Sequence, residues 1–202
     1  MESSAGTVFV LDDDERIVRA LQRLLKLSGY AVRPFADAQA LLGCADLAEA
    51  ECIVLDLGLP DTDGLSVQEA LTAKAGHPSI VFLTGCADVP SSVKAMKAGA
   101  VDFLMKPVEE AALLAAIDAG VRRTRGEREA EGQLAEVHAR LDTLTAREAE
   151  VMQHVVAGRL NKQIAGDLGT VEKTIKVHRA RMMAKMGVRT VADLVRLVEH
   201  AR

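Results

Sequence analysis

The sequence predicts an α/β domain built on a five-stranded parallel sheet of order 2-1-3-4-5, then a helical linker, then an all-α domain of four helices. Three observations carry this. Through about residue 120, short apolar runs alternate with amphipathic stretches, the pattern of strands buried on both faces and joined by helices. From Val121 to Leu144 there is no strand signal and no proline, and five charges of each sign balance. Beyond Leu144, short helical patterns are separated by Gly158, Gly169 and Gly187.

Taken in order, strands are expected at "TVFVLD" (7–12), "YAVRPF" (30–35), "CIVLDL" (52–57), "SIVFLTG" (79–85) and "DFLMK" (102–106). Between the first two, "RIVRALQRLLKLSG" places Ile17, Leu21, Leu24, Leu25 and Leu27 at helical spacing, with Gly29 as a stop. In the linker, Leu134, Val137, Leu141 and Leu144 are spaced 3, 4 and 3, a short heptad seam that fits either a coiled coil or packing on its own chain. "LTAREAEVMQHVVAG", "NKQIAGDLG", "VEKTIKVHRARMMAKMG" and "TVADLVRLVEHA" read as the four helices of the second domain. The expected boundaries are 1–122, 123–142 and 143–202.

Charge divides the same way. Residues 1–120 hold 9 basic and 18 acidic residues, a net −9, whereas residues 121–202 hold 16 and 11, a net +5. An acidic front and a basic tail suggest two tasks, the second with an anionic partner. The N-terminal stretch has no basic leader and an apolar run far too short for a membrane span, so a cytoplasmic location is expected. Cys44, Cys52 and Cys86 include no C-x-x-C pair and are expected to be small core or loop residues in a reducing compartment.

The densest chemistry is acidic. In a sheet of order 2-1-3-4-5, ligands collect at the carboxyl ends of strands one and three. Asp12 and Asp13 end strand one, and Asp56 ends strand three. A cluster of carboxylate oxygens suits a hard divalent ion, Mg²⁺ by preference. Thr84 and Lys106 end two further strands, so a hydroxyl and an ammonium could join a metal in stabilising a phosphoryl group on Asp56. Asp14 and Glu15 read as complements to a helix dipole, and Asp61 and Asp63 as turn formers.

"VLDDDE", "IVLDLGLPDTDG", "FLTGCADV" and "MKAGAVDFLMKP" resemble, in order and spacing, the response-regulator receiver domain of flavodoxin-like fold, over about residues 5 to 122. The resemblance implies that Asp56 is the phosphoacceptor. It implies that Asp13, Asp56 and the Gly58 carbonyl ligate Mg²⁺ with Asp12 helping through water, and that Lys106 contacts phosphoryl oxygens. Thr84 and Phe103 would form a switch pair, and the Lys106–Pro107 bond would be cis.

The tail resembles the LuxR-type helix-turn-helix DNA-binding domain over about residues 143 to 200, and the whole chain is similar to the FixJ-like subgroup of the FixJ/NarL regulators. By matching positions, Lys176, Val177 and Ala180 would face base edges, while Lys173, Thr174, Arg181 and Lys185 would lie on the DNA side, the last three gripping phosphates. Ile175, His178, Met182 and Met186 would be core. Relatives usually have an aliphatic residue then Ser or Thr before the recognition helix; here Thr170 precedes Val171, so Thr170 is a candidate cap and the helix start is open by a residue.

The implied function is that of a two-component transcription regulator and not an enzyme: a sensor histidine kinase phosphorylates Asp56, the receiver dimerises, and the tail binds promoter DNA, with RNA polymerase as a further partner and no membrane. A regulator independent of phosphorylation is an alternative that the acidic pocket speaks against. A haloacid-dehalogenase-like phosphatase needs a second aspartate two residues after the nucleophile, where this chain has Gly58. A flavodoxin-like redox carrier needs a Ser/Thr/Gly-rich phosphate loop where this chain has four acids.

Overall fold

The structure is a computed structural model that describes residues 5–60, 62–73, 77–85 and 88–200. Asp61 and Cys86, singled out above, lie outside the described residues. The first 128 residues and the remainder form two compact units, Met1–Arg128 and Glu129–Arg202.

In the first unit, strands β1 (Gly6–Leu11), β2 (Tyr30–Phe35), β3 (Cys52–Leu55), β4 (Ser79–Thr84) and β5 (Asp102–Met105) form a parallel sheet of order β2-β1-β3-β4-β5, as expected. Period-two alternation sends neighbouring residues to opposite faces. Phe9, Leu11, Ile53, Leu55, Ile80 and Phe82 join one core with Leu41, Leu65, Val67 and Leu71 of helices α2 (Ala38–Leu42) and α3 (Gly64–Thr72) and Ala95 of α4 (Val89–Lys97). Val8, Val10, Cys52, Val54, Val81 and Leu83 join the other with Leu21 and Leu25 of α1 (Glu15–Leu27) and Leu113, Ile117 and Val121 of α5 (Glu110–Asp142). Burial in the second core pushes the Cys52 thiol up to about 12, so it behaves as a small apolar residue.

Four helices of this unit begin with an aspartate whose side chain accepts from a backbone N–H of the first turn: Asp14 from Arg16, Asp37 from Ala40, Asp63 from Leu65 and Asp88 from Ser91. Each carboxylate satisfies an orphan donor and sits at the positive end of the helix. Part of the acidity of the front half is therefore capping. The fully buried Gln68 of α3 donates through Nε2 to the Ala95 carbonyl of α4 at 3.0 Å.

Helix α5 and the expected linker are one continuous helix of 33 residues. Past residue 122 it still grips the first unit. The Thr124 hydroxyl accepts from the Ser79 N–H at 2.9 Å and donates to the Ser79 Oγ at 3.0 Å, and both residues are buried. Arg125 forms a two-pronged pair with Glu51, whose carboxylate also accepts from the Thr7 N–H, and Arg128 donates to the Ala50 carbonyl. The division between the units thus falls inside the segment 123–142.

The second unit contains the end of α5 and helices α6 (Ala146–Val156), α7 (Asn161–Asp167), α8 (Glu172–Met186) and α9 (Val191–His200) around a core of Val151, Val155, Ile164, Ile175, Met182 and Leu194. Thr145 and Glu148 make a reciprocal capping box that starts α6. Gly187 ends α8 in the left-handed region at φ 68°, where a side chain is strained. Leu141 and Leu144 of the proposed seam pack into this same core, which favours own-chain packing at those positions over a coiled coil. Thr170 does not cap α8: the cap is Val171, which has no oxygen to offer, and its backbone carbonyl accepts from Thr174 and Ile175 instead.

Replacing Thr124 by the isosteric valine removes the shorter of two bonds made by the buried Ser79 N–H, which keeps the Glu51 carbonyl at 3.3 Å, and takes the donor from the Ser79 hydroxyl. We expect Thr124→Val to cost about 1–3 kcal/mol in chemical denaturation; an unchanged midpoint would show that this bond contributes nothing to holding α5.

Candidate functional site

Because Leu11 of β1 pairs with Leu55 of β3, the residues that follow, Asp12 and Asp56, emerge side by side at the carboxyl edge of the sheet. Thr84 pairs with Met105, which places Lys106 next, its N–H donating to the Thr84 carbonyl at 2.8 Å. The Lys106 ammonium reaches back across this edge and donates to Asp12 Oδ2 and Asp56 Oδ2, each at 2.6 Å. The Lys106–Pro107 bond is cis.

Asp12 and Asp56 are 3% and 8% exposed, and Asp13 beside them is exposed. One oxygen from each of the three carboxylates lies within 4.8 Å of the others. Three carboxylates against one ammonium leave a formal charge of −2, which a divalent cation would neutralise. Burial raises the pKa of Asp12 above the ordinary carboxylate range, opposed by the hydrogen bonds from Lys106 and the Asp14 N–H. For Lys106, burial alone would lower the pKa, but the bonds to Asp12 and Asp56 outweigh it and keep the ammonium charged. The donor set, all oxygen and partly open to solvent, therefore fits a hard cation such as Mg²⁺.

The loop after β3 is held by short-range contacts. The Gly58 N–H donates to Asp56 Oδ1 at 3.2 Å, Gly58 bridges Asp63, and the Gly64 N–H donates to the Leu57 carbonyl at 3.0 Å. A Cβ at Gly64 would stand 2.5 Å from the Asp56 carbonyl oxygen and 2.8 Å from the Leu57 Cα, so this glycine permits the close approach that positions Asp56. In the sequence "PDTDG" reads as a turn, and the only local sign of Gly64's role is that it directly follows the capping Asp63. Thr84 is buried, and Phe103 is half-buried with its ring 5.7 Å from that of Phe82.

The other candidate surface is the outer face of α8. Ile175, Met182 and Met186 point into the core, and Lys173, Lys176, Val177, Ala180 and Arg181 are exposed, with Thr174 half-buried between them. Lys176 pairs with Glu172 one turn earlier at 3.0 Å, and Arg179 donates to Asn161 Oδ1 of α7. His178 is only half-buried, though its Nδ1 is enclosed without a hydrogen-bond partner. Lys185 is engaged within its own unit. Its ammonium donates to the buried Glu148 carboxylate at 2.6 Å and to the Thr143 carbonyl at 2.8 Å, so it fastens α8 to the start of α6 and is not held out toward a phosphate. The Lys185 hydrogen bond, with help from the Thr145 N–H, pulls the Glu148 pKa down to about 2.

Comparison with known proteins matches both parts of the chain. Residues 8–118 match the response regulator receiver domain, and residues 142–198 match the bacterial regulatory proteins of the luxR family. Nodulation protein W of Bradyrhizobium diazoefficiens is 41% identical over 197 residues, spanning 98% of this chain and 87% of that protein. The transcriptional regulatory protein FixJ of Azorhizobium caulinodans is 39% identical over 190 residues, 94% of this chain and 90% of its own. Among solved structures, the response regulator StyR superposes with a TM-score of 0.88 at 44% identity, covering 96% of this chain and 98% of that one. Full-length FixJ from B. japonicum gives 0.60 at 37% identity, covering 98% of each.

The Glu148–Lys185 pair has a pH signature. Because the folded pKa of Glu148 is depressed, its contribution is fully present above the ordinary carboxylate range and is lost as pH falls through about 2. Lys185→Met should lower the unfolding temperature of the full chain's second unit at neutral pH, and calorimetry should show the gap to wild type closing as pH approaches 2. An unaltered transition at neutral pH would return Lys185 to the DNA-facing set.

Proposed function

The chain belongs to the response regulators that join a receiver domain to a luxR-type DNA-binding domain, with a phosphodonor kinase and DNA as partners, and on that premise we propose that phosphorylation of Asp56 by a sensor histidine kinase switches it. The observation that carries this reading is the Lys106 ammonium shared between Asp12 and Asp56, 2.6 Å from each. It marks where a phosphoryl dianion would be received and supplies one of the charges that would receive it.

In the proposed transfer, an Asp56 carboxylate oxygen attacks the phosphorus of a phosphohistidine, the O–P bond forms as the N–P bond breaks, and the imidazole departs. Mg²⁺ held by Asp13, Asp56 and the Gly58 carbonyl, with Asp12 helping through water, would supply charge neutralisation for the phosphoryl oxygens. Lys106 exchanges its bond to Asp56 for one to a phosphoryl oxygen. The Thr84 hydroxyl turns to donate to another, and the Phe103 ring moves inward toward Phe82. Receiver residues 1–122 and DNA-binding residues 143–202, joined through 123–142, are then the two ends of the switch in a cytoplasmic protein.

The consequence we propose is homodimerisation. Val89, Val93 and Met96 form an exposed stripe at i, i+4 and i+7 along α4, and Met105 is exposed on the adjoining β5. Exposed apolar side chains so grouped are suited to an isologous contact. Two DNA-binding units would then engage promoter half-sites, with Lys176, Val177 and Ala180 toward the bases, Lys173, Thr174 and Arg181 toward phosphates, and RNA polymerase contacted from the DNA.

Two measurements test this. Incubation with acetyl phosphate and Mg²⁺ should add one phosphoryl mass to the full chain, and Asp56→Asn should abolish the addition while leaving the thermal transition in place; unchanged labelling of the variant would refute the acceptor assignment. Sedimentation of the full chain with beryllofluoride and Mg²⁺ should show a dimer at tens of micromolar that Val93→Asp reduces to monomer. A wild-type protein that stays monomeric under these conditions would overturn the dimerisation step.

A further inference from the structure

Gln68 of α3 is fully buried, yet it uses only part of its hydrogen-bonding capacity. Its Nε2 donates to the Ala95 carbonyl of α4 at 3.0 Å, while its enclosed Oε1 accepts from no donor among the described residues. A methionine or leucine would fill this space without enclosing an unpaired acceptor, which carries a cost in free energy. The Ala95 carbonyl would keep a partner in either case, the Ala100 N–H at 3.1 Å. Stability of the fold therefore gives no reason for an amide at this position. Control of α4 does.

The bond falls on a lightly seated helix. Of the nine residues of α4 only Ala95 is buried, and Val89, Val93 and Met96 are exposed. The Lys94–Glu69 ion pair also joins α4 to α3, but at 3.9 Å with both side chains in solvent it adds little. On α3, Gln68 stands one turn beyond Gly64 on the same face, and Gly64 packs against the Asp56 carbonyl. Helix α3 thus touches the backbone of the acceptor at one turn and grips α4 at the next. Because Lys106 is bonded directly to Asp56, this seat of α4 is the one that precedes phosphoryl transfer. Moving α4 off Gln68 leaves the amide wholly unpaired, a cost that an apolar side chain would not impose. We infer that Gln68 is a positioning residue of the switch: its bond to Ala95 latches α4 in this seat and sets how strong a phosphoryl signal is needed to shift the apolar stripe. The latch lies on α3, apart from Thr84 of β4 and Phe103 of β5.

This coupling rests on the phosphorylation and dimerisation proposed above. The full chain is titrated with beryllofluoride at fixed Mg²⁺, with dimer followed by sedimentation. Without the latch bond, Gln68→Met should reach half-maximal dimer at about one fifth of the wild-type beryllofluoride concentration. Its unfolding midpoint should equal or exceed that of wild type, and Gln68→Leu should behave in the same way. In the wild-type chain, the Gln68 side-chain amide protons, followed by NMR, should exchange with solvent faster once beryllofluoride is bound. An unchanged titration with a lowered midpoint would make Gln68 a structural residue and overturn the latch. Variants that need more beryllofluoride than wild type, or wild-type amide protons whose exchange is unaltered, would also overturn it while leaving dimerisation in place. A wild-type chain that stays monomeric throughout the titration would overturn both the latch and the dimerisation beneath it.

Discussion

The first unit is organised around a single ammonium between two buried carboxylates. Asp12 and Asp56 are brought together by the parallel pairing of β1 and β3, and two buried carboxylates so placed repel each other unless a counter-charge stands between them. Lys106 supplies it from the end of β5, two strands from β3 and three from β1. For that reach to succeed, β5 must lie in register with β4, and the loop after β3 must stay close to its own strand. The Lys106 N–H on Thr84 and the bare Gly64 against the Asp56 carbonyl satisfy those conditions. A strand order that parted β1 from β3, or moved β5 further from them, would separate the three charges.

The remaining acids serve a different purpose, and the contrast explains why a chain rich in aspartate folds compactly. Asp14, Asp37, Asp63 and Asp88 each bond a first-turn N–H at the start of a helix, where a negative charge is stabilised by the helix itself. Asp14 is also paired with Arg16 and held near pKa 2. Of the run 12–14, only Asp12 and Asp13 enter the cluster with Asp56, so adjacent residues of one chemical type divide between local capping and a tertiary site.

What the sequence made legible follows from how local each signal is. Strand order could be read because β3 and β4 are near-continuous apolar runs, and because Asp12, Asp56 and Lys106 directly follow β1, β3 and β5 while Thr84 ends β4, position along the chain translates into position at the sheet edge. The cap of α8 was misjudged because a side-chain oxygen was expected where a valine backbone suffices. The bond of Lys185 to Glu148 was not legible because the two lie 37 residues apart, and nothing in a basic helix distinguishes a lysine bonded to a carboxylate on another helix from one held out to solvent. The continuity of α5 was hidden for a related reason: Thr124, Arg125 and Arg128 look like linker residues until Ser79, Glu51 and Ala50 are seen beneath them.

The commitment of Lys185 to Glu148 also divides α8 into positions that are free to diverge and positions that are not. Lys173, Lys176, Val177, Ala180 and Arg181 are exposed, so substitutions there leave the core of the unit in place. Lys185 cannot drift in this way, because its loss strands a buried carboxylate, and neither can Ile175, Met182 or Met186. The helix thus keeps its seating and its outer face on separate residues, so that the outer face can change while the unit that carries it stays folded.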